Sequence, residues 1–253
     1  MPILQLQGVS RRFGGLTAVN RVDLEVEPGE RMTILGPNGA GKTTLFHLIS
    51  GEVPVSSGRI VFRGRDVTRL GAHRRAALGL RRTYQITNLF PSLTVLQHLQ
   101  LAWQSLSGAK YQWLRPLRKY GDITARAMAV LEQFGMDDRR DVPVADLSYG
   151  EQRELEIAMA VVGQPELLLL DEPLAGLSPA ESGRVMEIVN GIADGITVIL
   201  IEHDVEAALR FARRVTVMHQ GAVVMQGTPD EVRSDPRVQE IYLGQDAAGA
   251  RPV

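Results

Sequence analysis

Apolar residues at the start of the chain are spaced by polar ones. Leu4, Leu6 and Val9, then Val22, Leu24 and Val26, predict two half-buried strands before a turn at Pro28-Gly29. Met32-Thr33-Ile34-Leu35 is a short buried strand running into a glycine-rich loop. Residues 43–50 read as a helix closed by Gly51, and residues 58–62 as another strand ended by Gly64. From about Gln85 to Asp146 the pattern turns helical, with segments at 94–101 and 123–134 and a loop or broken helix at 108–116 between them. This middle third reads as an inserted lobe. Beyond Ser148 the elements alternate again: helix 152–162, strand 167–170, helix 180–192, strand 197–201, helix 206–212, then a hairpin of 215–219 and 222–226 around Gly221. That order predicts a mostly parallel sheet covered by helices. The polar, Ala/Gly-rich stretch 245–253 is expected to be a frayed, flexible tail.

Composition narrows the function classes. The 253 residues carry 28 Lys+Arg against 29 Asp+Glu, and 44% are hydrophobic. That is enough for a core, and it excludes a disordered chain. Near-neutral charge argues against a nucleic-acid binder, which needs a basic surplus to displace counterions. The absence of cysteine removes disulfides, thiol catalysis and cysteine-ligated zinc. No run approaches the ~18 apolar residues of a membrane span, and Met1-Pro2-Ile3-Leu4 does not open a secretory leader. A cytoplasmic location is expected. Only three of the basic residues are lysines, Lys42, Lys110 and Lys119. Lys42 therefore stands out in its loop.

Gly36-Pro37-Asn38-Gly39-Ala40-Gly41-Lys42-Thr43 fits the G-x-x-x-x-G-K-[ST] phosphate loop, after a strand and at the head of a helix. Its glycines let backbone N–H groups curl around a phosphate, and the helix directs its positive end at the anion. Lys42 is placed to reach the β- and γ-phosphates, and the Thr43 hydroxyl to bind Mg²⁺. The competing reading, a glycine-rich turn with a chance lysine, leaves that lysine unexplained. Leu167-Leu168-Leu169-Leu170-Asp171-Glu172 suits a strand buried on both faces that presents carboxylates at its C-terminal end, where open α/β sheets bind ligands. Asp171 is placed to hold Mg²⁺, and Glu172 to orient or deprotonate an attacking water. An acidic helix start is the alternative reading of the pair. Leu147-Ser148-Tyr149-Gly150-Glu151-Gln152 reads as a capping box, Ser148 with Glu151, and as a second anion-binding helix end at Ser148 and Gly150.

This last element resembles the LSGGQ signature of the ABC-type ATPases, with Tyr149 and Glu151 as departures. The resemblance covers almost the whole chain, residues 4–244. It implies a P-loop NTPase (RecA-like) α/β fold of the ABC ATPase type: a mostly parallel sheet with an N-terminal antiparallel β subdomain and an inserted helical subdomain. In these terms residues 1–85 and 160–244 are the catalytic core with its β subdomain, and about 86–159 the helical signature lobe. Gln85 matches the glutamine that contacts Mg²⁺ and senses the membrane partner. His203, in Ile201-Glu202-His203-Asp204, matches the switch histidine at the γ-phosphate, and Phe13 the aromatic that stacks on adenine. Gly36 to Thr44, including Ala40 and Thr44, would cradle the phosphates of ATP. The signature would serve a nucleotide held by a second ATPase subunit, either another copy or a paralogue. Ser178 stands where many family members carry an aspartate, which leaves the role of that side chain in communication between sites open.

Within this family the chain is similar to the branched-chain amino-acid importer ATPases, through Phe13-Gly14-Gly15-Leu16-Thr17-Ala18-Val19, Asn88-Leu89-Phe90-Pro91-Ser92-Leu93-Thr94-Val95 and Ile241-Tyr242-Leu243-Gly244. That implies transmembrane permease subunits as partners, a periplasmic or extracellular binding protein indirectly, and a place on the cytoplasmic face of the membrane. Related ATPases serve urea or amide uptake, and the lipopolysaccharide exporter's ATPase shares the Tyr242-Leu243-Gly244 ending. A kinase or GTPase acting alone would need an acceptor pocket or an N-K-x-D element, and the chain has no such element. In the middle lobe, Trp103, Trp113, Tyr111, Tyr120, Arg115, Arg118 and Lys119 are expected near a permease groove or lipid headgroups, with core packing the alternative for the tryptophans.

Overall fold

Strand β1 (Leu4–Phe13) pairs antiparallel with both β2 (Leu16–Val26) and β4 (Ser57–Phe62), so Leu4 faces Val26 on one side and Phe62 on the other. With β5 (Arg65–Asp66) at its edge this makes a four-stranded sheet ordered β2-β1-β4-β5. The computed structural model describes residues 1–83, 89–105, 121–193 and 195–248, with the main chain alone at 121–122 and 243–248.

The second sheet has β3 (Arg31–Leu35) near its centre, between β8 (Thr197–Ile201) and β9 (Arg214–His219). Beyond β8 lie β7 (Leu167–Asp171) and β6 (Leu80–Arg82), and β10 (Ala222–Gly227) closes the other edge. Every neighbouring pair is parallel except β9 with β10. The carboxyl ends of β3, β7, β8 and β9 therefore open on one edge, where successive strands feed loops into a common crevice.

Alternation along β7 explains the run of leucines. Leu167 and Leu169 point into one core with Leu45, Phe46 and Ile49 of α1 (Lys42–Ser50), while Leu168 and Leu170 point into the other. That second core is built by α3 (Val95–Gln104), α4 (Gly121–Phe134), α5 (Tyr149–Val161) and α6 (Pro179–Ile192). All four leucines are fully buried, each worth about 1.5–3 kcal/mol relative to exposure.

Some elements carry no readable period. β5, β6 and α2 (Ala72–Ala77) are too short, yet α2 delivers Arg75, which is 1% exposed. Its guanidinium donates to the carbonyls of Leu48 and Ile49 at 2.7 and 2.8 Å, closing the C-terminal end of α1, where a cation opposes the helix dipole. After α7 (Val205–Phe211) and the β9–β10 hairpin come α8 (Pro229–Ser234) and α9 (Pro236–Ala248). The expected tail after Gly244 is helical as far as Ala248, because α9 continues through it.

Candidate functional site

The phosphate loop leaves the end of β3 and enters α1, and two of its glycines are fixed by backbone neighbours. A Cβ on Gly36 (φ 150°) would stand 2.2 Å from the Met218 carbonyl oxygen. A Cβ on Gly41 (φ 97°) would stand 2.4 Å from that of Ala18. The loop is thus pinned between the β9–β10 hairpin and β2, and the Gly221 amide adds a 3.0 Å bond to the Ala40 carbonyl. Gly41 is the N-cap of α1 and supplies no side chain to the first-turn amides, and no acidic residue lies in that turn. In α3, α5, α6, α7 and α8 a Thr, Ser or Asp caps that position. The bare end of α1, opening on the glycine loop, is suited to an external anion.

Lys42 is 5% exposed and its ammonium donates to the carbonyls of Gly36 (2.5 Å) and Pro37 (3.1 Å), curled within the loop it serves. Burial pulls its pKa below the ordinary value, with Glu172 and Asp171 opposing that shift. A cleft of about 530 Å³ is lined by Asn38 to Thr44, Leu16 to Ala18, Glu172, His203 and Gln220. A larger groove of about 710 Å³ lies on the other side of His203, between α6 and α7, and contains no phosphate-loop residue. The smaller cleft holds the convergent polar groups and is the candidate site.

Asp171 ends β7 with no exposure. One carboxylate oxygen takes the Arg82 guanidinium at 2.6 Å, and that guanidinium also reaches Glu52 at 3.1 Å. The other oxygen is buried and has no hydrogen-bond partner among the described residues. Burial pushes the carboxyl up and the Arg82 contact pulls against it. An orphaned oxygen donor behind the phosphate loop is the kind of group a hard divalent cation satisfies, so the residues present fit Mg²⁺.

Glu172 follows in the left-handed region (φ 50°), an unfavourable backbone for a residue with a Cβ, at a cost of about 1–3 kcal/mol. Three contacts hold it there. Its amide donates to the Ile201 carbonyl at 2.8 Å, and the buried Arg153 of α5 donates to the carbonyls of Glu172 (3.0 Å) and Pro173 (3.1 Å). Its carboxylate lies 2.8 Å from Nε2 of His203, so these two predicted residues meet. Behind them Glu202, 4% exposed, accepts the amides of Leu174 (2.8 Å) and His203 (3.1 Å) and so fixes both loops.

Ser148 caps α5 in the predicted box: its hydroxyl accepts the Glu151 amide at 3.2 Å and Glu151 returns to the Ser148 amide at 2.8 Å. Ser148 and Gly150 do not line the cleft of their own chain. Ser178 caps α6 with Glu181, whose carboxylate accepts the Ser178 amide at 2.9 Å and also contacts the Gly150 amide. The side chain at 178 thus serves its own helix, and Glu181 links that helix to the signature. Phe13 lies at the β1–β2 hairpin, 44% exposed, with the Arg11 guanidinium 4.4 Å from its ring centre. It is separate from the cleft residues, although its strand partner Leu16 is among them. Gln85 and the cluster Tyr111, Trp113, Arg115, Arg118, Lys119 and Tyr120 lie outside the described residues. Trp103 packs against the helical core, with Arg126 5.9 Å from its ring.

Sequence reasoning missed Arg82, Arg153, Glu181 and Gln220. Glu181 had a local signal, the Ser178-x-x-Glu181 box; Arg82 and Arg153 have none, because each acts on a segment distant in sequence.

The fold and the site define a P-loop nucleotide-binding protein with a second, capped helix end facing outward. A family model described as "ABC transporter" matches residues 19–175, and one described as "Branched-chain amino acid ATP-binding cassette transporter" matches residues 222–248. The chain is 38% identical to the high-affinity branched-chain amino acid transport ATP-binding protein LivG of Escherichia coli, over 96% of this chain and 98% of that protein. It is 36% identical to BraF of Pseudomonas aeruginosa over the same shares. Among solved structures, the ADP conformation of an ATP-binding cassette from an ABC transporter superposes with a TM-score of 0.86 at 29% identity, over 96% of this chain and 99% of that one. A nucleotide-free cassette gives 0.85 at 28%, over the same shares. The chain belongs to the ABC transporter family, as an ATP-binding subunit of its branched-chain amino acid group. Among the described residues no helix is long and apolar enough to cross a membrane.

Proposed function

We propose that this subunit hydrolyses ATP at the cytoplasmic face of the plasma membrane and thereby powers uptake of branched-chain or related hydrophobic amino acids through permease subunits. The observation that carries the chemistry is the pair of Glu172 and His203, 2.8 Å apart at the mouth of the phosphate-loop cleft. Lys42 and the amides of Gly39 to Thr44 bind the phosphates. Thr43 and the free oxygen of Asp171, with Gln85, would hold Mg²⁺, which would supply positive charge against the phosphates. Glu172 takes the proton of the attacking water, and His203 steadies the γ-phosphate. Phe13, stiffened by Arg11, stacks on adenine. Most of the catalysis is electrostatic positioning.

Ser148 and Gly150 do not line their own cleft and are assigned to a nucleotide on a second ATPase subunit. Turnover should therefore rise with the square of protein concentration at low concentration. Ser148→Asp tests this with a control built in. Aspartate is as good an N-cap as serine, so the melting temperature should move by no more than a few degrees. Its carboxylate would repel the partner's phosphate, so the rate should fall at least tenfold while the separated subunit binds ATP as before. An unchanged rate removes the signature from the catalytic cage. The helical lobe, residues 86–159, is the proposed permease contact. Co-purification with a permease, and stimulation of its ATPase activity by an amino-acid binding protein, supports import; export without such a protein overturns it.

A further inference from the structure

The signature departs from its usual form at Tyr149, and this side chain makes contacts that a glycine could not. Tyr149 is the first residue of α5 and is 45% exposed. Its hydroxyl donates to the Ala175 carbonyl at 3.3 Å. Its ring edge covers Gly176, where an added Cβ would stand 3.2 Å from Cε1 of the tyrosine. The helix does not need this side chain for its own start, because Ser148 and Glu151 close the cap between them. Tyr149 instead lies across the loop that runs from Glu172 to α6.

That loop opens with a tight turn whose first residue is Glu172. The Ala175 amide donates to the Glu172 carbonyl at 3.2 Å, closing four residues into one unit. Tyr149 holds the far end of this unit at the Ala175 carbonyl. Arg153, four residues further along α5 and so on the same helix face, holds the near end at the carbonyls of Glu172 and Pro173. One face of α5 thus takes three of the turn's four carbonyls. The residue they set is the one at φ 50°, whose backbone would relax without support. We propose that Tyr149 is a positioning residue for Glu172: its hydroxyl fixes the turn from Glu172 to Ala175, so that the carboxylate beside His203 meets the attacking water in one orientation. This rests on the reading of Glu172 as the general base.

Tyr149→Phe keeps the ring over Gly176 and removes the hydroxyl. Rates are read on the full chain with saturating MgATP, at a protein concentration where the parent's specific activity has levelled off. The loss of one neutral hydrogen bond predicts kcat lowered about 3- to 10-fold, with the Kd for MgATP unchanged within about twofold. In a Glu172→Gln background the same substitution should cost no further rate, since the group it positions is gone. Arg139→Ala is the control: Arg139 lies 3.3 Å from Glu151, so its removal loosens the start of α5 without touching the turn, and kcat should stay within about twofold. A kcat for Tyr149→Phe within twofold of the parent overturns the inference. An equal fall in Arg139→Ala also overturns it, because the effect would then be general loosening of the helix. If Glu172→Gln itself hydrolyses ATP at the parental rate, the general-base reading fails first and takes this inference with it. If Glu172→Gln is inactive and Tyr149→Phe is unimpaired, this inference alone falls.

Discussion

Glu172→Gln is expected to bind ATP as the parent does and to lose turnover by about 10²–10³-fold, within the range for removal of a general base. The geometry separates the two effects. Glutamine has the size of glutamate, and its amide oxygen can still accept from Nε2 of His203 across the 2.8 Å contact. The strained backbone at position 172 is held by main-chain groups, the Ile201 carbonyl and the two carbonyls taken by Arg153, so it does not depend on the carboxylate. What the amide cannot do is accept a proton from water. If, as proposed, two subunits close on ATP binding and part on hydrolysis, the closed dimer should then accumulate and be visible by size-exclusion chromatography in the presence of ATP. Single-turnover measurement of phosphate release is the check. Hydrolysis at the parental rate would remove Glu172 from the mechanism.

Lys42→Ala should act at the opposite step, raising the Kd for ATP about 10²-fold, the worth of one or two charge-assisted hydrogen bonds to phosphate. The fold should hardly notice. The ammonium is already desolvated, with its pKa drawn down by burial, so removing it relieves a cost while leaving the Gly36 and Pro37 carbonyls without their donor. These effects oppose each other, and the melting temperature should shift by a few degrees at most. Lys42→Arg should not rescue binding, because a planar guanidinium does not fit where a compact ammonium curls beneath the loop. Fluorescence titration with a nucleotide analogue, run beside a thermal melt, reads both. Affinity within threefold of the parent would place the phosphates elsewhere.

The parts of the site that were legible share a property: each needs a specific local order of residues. The phosphate loop must be a strand, then glycines, then lysine and a hydroxyl at a helix start, and the chain spells this at Gly36 to Thr43. Ser148 with Glu151 closes a helix within one turn, so its cap was readable and is present. The four-leucine run announced a strand buried on both faces, which the split of Leu167 and Leu169 from Leu168 and Leu170 between two cores explains. Short elements were not legible. A strand of three residues, such as β6, has no period, and its existence depends on pairing with β7.

The sequence by itself marked the groups proposed to meet the nucleotide: a glycine loop at a helix start, its lysine and the carboxylates that end a buried strand. These follow from local geometry and side-chain type. Tertiary structure alone decided what holds those groups in place. Arg82 reaches Asp171 across 89 positions, and Arg153 reaches Glu172 from another helix. Such contacts leave no local pattern, because their energy depends on distance in space and the chain records only distance along itself.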